Sequence, residues 1–133
     1  MAATSNQPDY SDFKAFTFEA RLGSQLPVHG PAWQAYLIDF LEDLSAQVTA
    51  LPGCVPGHLK LSAALAEDGG HTLKLSSLGF GIPVTADGGF EQSGRQMTLV
   101  LNLLTAGVAA QALEPVCMRA LGRLCGRYGL VLI

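Results

Sequence analysis

Two lysines and a histidine carry the side chains best placed for chemistry. The stretch GHLKLSAALAEDGGHTLKLSSL, residues 57–78, contains Leu-Lys-Leu twice, and each copy follows a histidine, His58 or His71. Side chains alternate along a strand, so burying Leu59, Leu61, Ala63 and Leu65 turns His58, Lys60, Ser62 and Ala64 to the other face. In the second copy Leu73, Leu75 and Ser77 oppose Thr72, Lys74, Ser76 and Leu78. An antiparallel hairpin closed at Glu-Asp-Gly-Gly then sets Lys60 and Lys74 on one outer face, with His58, Ser62 and Ser76. Asn102 joins them once the later strand QMTLVLNLL buries Met97, Leu99, Leu101 and Leu103. Two ammonium groups among hydroxyls and an amide can hold a carboxylate or a phosphate. An open antiparallel face also carries lysines for solubility alone, and a half-apolar one can serve as a dimer surface.

Other residues offer less. Cys54 and His58, four positions apart, are a possible metal pair with His71 or His29 as a third ligand, but the spacing matches no zinc module. Arg119, Arg123 and Arg127 recur every fourth residue, a basic stripe for an acidic partner on the last helix. They can equally lie beside Asp39, Glu42 and Asp43 of a neighbouring helix. Cys117 and Cys125 fall on an apolar helix face as small core residues. Adjacent carboxylates occur only as Glu42-Asp43 on a solvated helix and Glu67-Asp68 in a turn. GxSxG, GxxxxGK[ST], HExxH and a helix-opening GxGxxG are all missing. No catalytic constellation and no cofactor are expected.

The elements that must position these residues follow from composition and periodicity. The chain has 133 residues, enough for one domain with a core of its own. Hydrophobic residues make up 49% and charged ones 14%, against about 25% charged in an average globular protein. Mean hydropathy is +0.30. Such a chain is short of polar surface, which points to burial between subunits and hence a homo-oligomer, or to another protein partner. A net charge of −3 argues against a nucleic-acid partner. The longest apolar run, from Met97, is too short for a membrane span. MAATSNQPDYSDF is neither basic nor apolar, so no signal peptide is expected, and three cysteines without a CxxC pair suit reduced thiols in a cytoplasm.

Residues 1–14 read as a loose polar tail, and 15–133 as a single α+β domain. FTFEARL (16–22) alternates as a half-buried strand. From Pro31 a helix aligns Trp33, Leu37, Phe40, Leu41, Leu44, Val48 and Leu51 until Pro52-Gly53 ends it. Strands are expected at 57–66 and 71–78, a short edge strand at 82–86, and an interior strand at 96–104. The last helix, about 110–128, must take Pro115 in its first turn or kink there. The final LVLI is a short strand or docked tail. This order predicts a ferredoxin-like two-layer sandwich, a mostly antiparallel sheet with two helices on one face.

The run GHLKL…HTLKLSSL…MTLVLNLL followed by ALEPVCMRAL resembles the C-terminal region of cobalamin-synthesis-type metallochaperone GTPases, over roughly residues 33–124. Residue by residue, the resemblance reaches His58, Lys60, Lys74 and Asn102. It implies an accessory or partner-binding module, because the GTPase half and its phosphate loop have no counterpart here. The expected function is therefore a non-catalytic, self-associating interaction module. The alternative is a small-anion or metal-ion binder on the outer sheet face.

Overall fold

Period-2 alternation in the strands and a 3.6-residue apolar stripe in each helix build two layers. The computed structural model describes residues 12–69, 71–78 and 82–133. In chain order the elements are β1 (Lys14–Val28), α1 (Gly30–Thr49), β2 (Val55–Leu65), β3 (Thr72–Ser77), β4 (Thr85–Gly88), β5 (Gly94–Ala106), α2 (Ala110–Tyr128) and β6 (Val131–Leu132). The six strands form one sheet in the order β4-β3-β2-β5-β1-β6. Neighbouring strands are antiparallel throughout.

That order contains two split β-α-β units. Helix α1 links β1 to β2 with β5 lying between them, and α2 links β5 to β6 with β1 between them. The segment β6-β1-β5-β2 is the ferredoxin-like arrangement, and the β3–β4 pair extends the sheet beyond β2. QMTLVLNLL sits in the sheet interior because both of its edges are paired, one with β1 and the other with β2.

Helix α1 buries Trp33, Leu37, Phe40, Leu41, Leu44 and Val48 in one core with Leu59, Leu61, Leu73, Leu75, Leu99 and Leu101 of the sheet. The Trp33 indole N–H donates to the Gly94 carbonyl at 2.9 Å, so the largest core side chain leaves no polar group unpaired. Helix α2 adds Leu113, Val116, Cys117, Ala120, Leu121 and Leu124. The helices meet through Tyr36 and Tyr128, stacked with ring centroids 3.9 Å apart. No helix among the described residues is long and apolar enough to cross a membrane.

Several boundaries differ from expectation for physical reasons. Strand β1 continues past Gly23 to Val28, with a register irregularity between them and Val28 opposite Gly94. Gly23 and Pro27 read as a loop because an irregular edge strand tolerates both residues. Strand β4 lies at 85–88 rather than 82–86. Pro115 lies inside α2 beyond the first turn, where its missing N–H removes one intrahelical bond. The tail expected at 1–14 falls mostly outside the described residues, and Lys14 already opens β1. The final residues do form a strand, β6, against Leu22 and Gly23.

Candidate functional site

Leu59, Leu61, Leu73 and Leu75 are all buried beneath the helices, so alternation turns Lys60 and Lys74 to the opposite, open face. In the β2–β3 register Lys60 faces Ser76 and Ser62 faces Lys74. The two lysines are therefore diagonal neighbours, roughly 7–8 Å apart at the backbone. Across the other edge of β2, Lys60 faces Asn102. The Asn102 side-chain carbonyl accepts from the Thr17 hydroxyl at 2.8 Å, which leaves its NH2 group to donate elsewhere.

Strand β4 completes the site. Thr85 stands opposite Ser76, and Asp87 opposite Lys74. Lys60, Ser62, Lys74, Ser76 and Asn102 line a single open depression of about 360 Å³, and Thr85 and Asp87 form its far wall. Among the described residues no carboxylate lies within ion-pair distance of either lysine. The depression thus presents two unpaired cations, hydroxyls and an amide, with one carboxylate at its edge.

His58 stands apart from this group. It shares the lysines' face, two positions along β2 from Lys60 and opposite Leu104 in the same register that pairs Lys60 with Asn102, but it does not line the depression. The β2–β5 irregularity falls before it, between Pro56 and His58. Gly57 is required there: a Cβ would come within 2.9 Å of the Leu104 carbonyl oxygen and 3.1 Å of the Phe13 ring. His58 is half-buried, and its Nδ1 has no hydrogen-bond partner among the described residues.

The proposed metal pair is divided by the sheet. Cys54 packs against the core on the helix side, whereas His58 shares the open face with Leu104. Among the described residues no three His, Cys, Asp or Glu side chains gather as a metal site. Burial raises the thiol pKa of Cys54 and of Cys125. Burial, reinforced by the Glu114 charge, pushes Cys117 up to about 12. Thiols held protonated in this way are poor nucleophiles and poor metal ligands.

The arginine stripe meets acids on α1. Arg123 Nε donates to Asp43 at 3.0 Å, and Arg127 pairs with Asp39. Asp39 also accepts the Tyr128 hydroxyl at 2.8 Å, and that hydrogen bond is the main reason the Tyr128 pKa is raised. Arg119 is exposed on the same helix. Two of the three arginines therefore clasp α1 to α2.

The Glu67-Asp68 pair acts on backbone rather than on substrate. Asp68 is 1% exposed and accepts from the Glu91 and Gln92 amides at 2.8 and 3.2 Å and from His71 Nδ1 at 2.7 Å. Desolvation by itself would raise its pKa, but the two amides and His71 outweigh that and lower it. Glu67 accepts from the Arg95 amide at 2.7 Å. Together these carboxylates tie the β2–β3 turn to the segment entering β5, and His71, preceding the second Leu-Lys-Leu, belongs to this tie. Sequence reading overlooked Asp87 in the site, although the alternation of Thr85 and Asp87 after Pro83 was a usable signal.

No protein-family model and no curated protein matches the chain. Two solved structures show similarity, the Zn(II)-bound YjiA GTPase from E. coli and a Zn(II)-bound triple mutant of YjiA. Each has 10% sequence identity and a TM-score of 0.35, over 89% of this chain and 34% of the other. The chain thus spans about a third of the length of those proteins, and neither zinc nor nucleotide chemistry carries over at that level of similarity.

Proposed function

We propose that the chain is a non-catalytic binding module that holds an anionic group on its open sheet face. The observation that carries this reading is the placement of Lys60 and Lys74 in one depression, neither of them neutralised by a neighbouring acid. Like charges on adjacent strands repel, and an anion shared between them relieves that repulsion. Three free cysteines, all with raised pKa, fit residence in a reducing cytoplasm. In thermal unfolding at matched ionic strength, phosphate or citrate at ten times its Kd stabilises the native chain by about 1.4 kcal/mol, roughly 3–6 °C in Tm. Lys60→Gln and Lys74→Gln each abolish most of that shift. A shift that persists in both variants, or none in the parent chain, defeats the proposal.

A second reading, self-association, is favoured by the apolar edge of the sheet. Val131, Leu132 and Ile133 are 59, 50 and 60% exposed, and Leu26 on β1 is 74% exposed. A short apolar edge strand invites edge-to-edge pairing of two copies. Light scattering coupled to gel filtration is expected to give a dimer mass at micromolar concentration, and Leu132→Lys to return a monomer. A monomer from the parent chain at that concentration removes this reading.

A further inference from the structure

Asp87 is the odd group in a site built for an anion. It faces Lys74 across the β3–β4 pair and lines the same depression, yet it makes no ion pair with that lysine. A carboxylate in that position disfavours a bare anion by repulsion but accepts a hydrogen bond from a ligand that also carries a donor. Room for such a ligand exists, since about 360 Å³ lies at the lower end of small-molecule sites, roughly 300–1,000 Å³. The donors approach from three strands, with Lys60 on β2, Lys74 on β3 and the Asn102 amide on β5. A planar carboxylate offers two oxygens in one plane, whereas a phosphoryl group offers three in tetrahedral directions.

Resting on the anion-binding reading above, we infer that the ligand is a small phosphate monoester bearing an ammonium group. The phosphoryl oxygens take Lys60, Lys74 and Asn102, and the ammonium takes Asp87. The net charge of the lining, two lysines against one aspartate, matches a ligand with a dianionic head and one positive charge.

Isothermal titration of the full chain with O-phosphoethanolamine and with ethyl phosphate, the same ester without its ammonium, tests this. The parent chain is expected to prefer O-phosphoethanolamine by about tenfold, the size of one charge-assisted hydrogen bond. Asp87→Asn removes the preference, weakening O-phosphoethanolamine and strengthening ethyl phosphate. Lys60→Gln and Lys74→Gln weaken both ligands. All three side chains are exposed, and circular dichroism verifies that the variants fold. If Asp87→Asn strengthens both ligands, Asp87 only repels anions; the inference then fails while the anion-binding reading stands. Binding of inorganic phosphate or citrate but of neither ester has the same meaning. If no anion binds the parent chain, both fall.

Discussion

Replacing Trp33 with alanine is expected to lower the free energy of unfolding by about 3–5 kcal/mol, the range for deleting a large aromatic from a close-packed core. Trp33 is 0% exposed and packs against the sheet at the start of β5, where it bonds Gly94. Its removal deletes the edge-to-face contact with Tyr36, whose centroid is 6.1 Å away. It also removes the hydrogen bond that the indole donates to the buried Gly94 carbonyl. Small domains hold only about 5–15 kcal/mol in total, so the variant is expected to be partly unfolded at physiological temperature. Urea denaturation followed by far-UV circular dichroism measures the loss, because the chain's single tryptophan is no longer present as a fluorophore. Trp33→Phe keeps most of the ring volume and loses less. A cost for alanine below about 1.5 kcal/mol would contradict the packing described for this site.

Gly107→Ala is expected to cost about 3 kcal/mol or more, because two separate penalties meet at one position. Gly107 has a φ of +83°, and a Cβ there would lie 2.0 Å from the Gly53 carbonyl oxygen. Gly53 belongs to the turn between α1 and β2, and Gly107 to the turn between β5 and α2. Any side chain must push one backbone turn off the other. Gly129 separates the two penalties: it has a φ of +67° with nothing within 4 Å of the missing Cβ. Gly129→Ala therefore carries only the left-handed penalty, about 1–2 kcal/mol. Equal losses at the two positions, measured by chemical denaturation, would mean that the turns do not bear on each other.

Local pattern made much of this molecule legible. Alternation in the two Leu-Lys-Leu strands assigns each lysine to the open face, because a slip of one residue buries an ammonium group. The apolar stripe of α1 is buried as read, from Trp33 to Val48. The missing parts depend on contacts distant in sequence. Asp68 reaches the amides of Glu91 and Gln92, 23 and 24 residues away, and an acid in a turn does not announce such a reach. His58 shares the lysines' face, as alternation reads it, opposite Leu104 and in unbroken register with Lys60 and Asn102. It lies outside the depression because the walls supplied by β3, β4 and β5 are further along β2. Strand β4 is four exposed residues beside Pro83, too short for periodicity to fix its ends, and Asp87 was lost with them.

The central place of β5 has a consequence for how the chain folds. Thr17 and Asn102, hydrogen-bonded across β1 and β5, are 85 residues apart in sequence. The sheet cannot join β1 to β2 until β5 has left the ribosome and slipped between them. Such non-local pairing gives the domain a high contact order, and domains of that kind fold on the millisecond-to-second scale rather than in microseconds. During synthesis the edges of β1 and β2 wait unpaired, with Phe16, Phe18 and the strand leucines uncovered. The nascent chain is then at its most prone to aggregation, and a helper that shields apolar strands has most to do before β5 has emerged as far as Ala106.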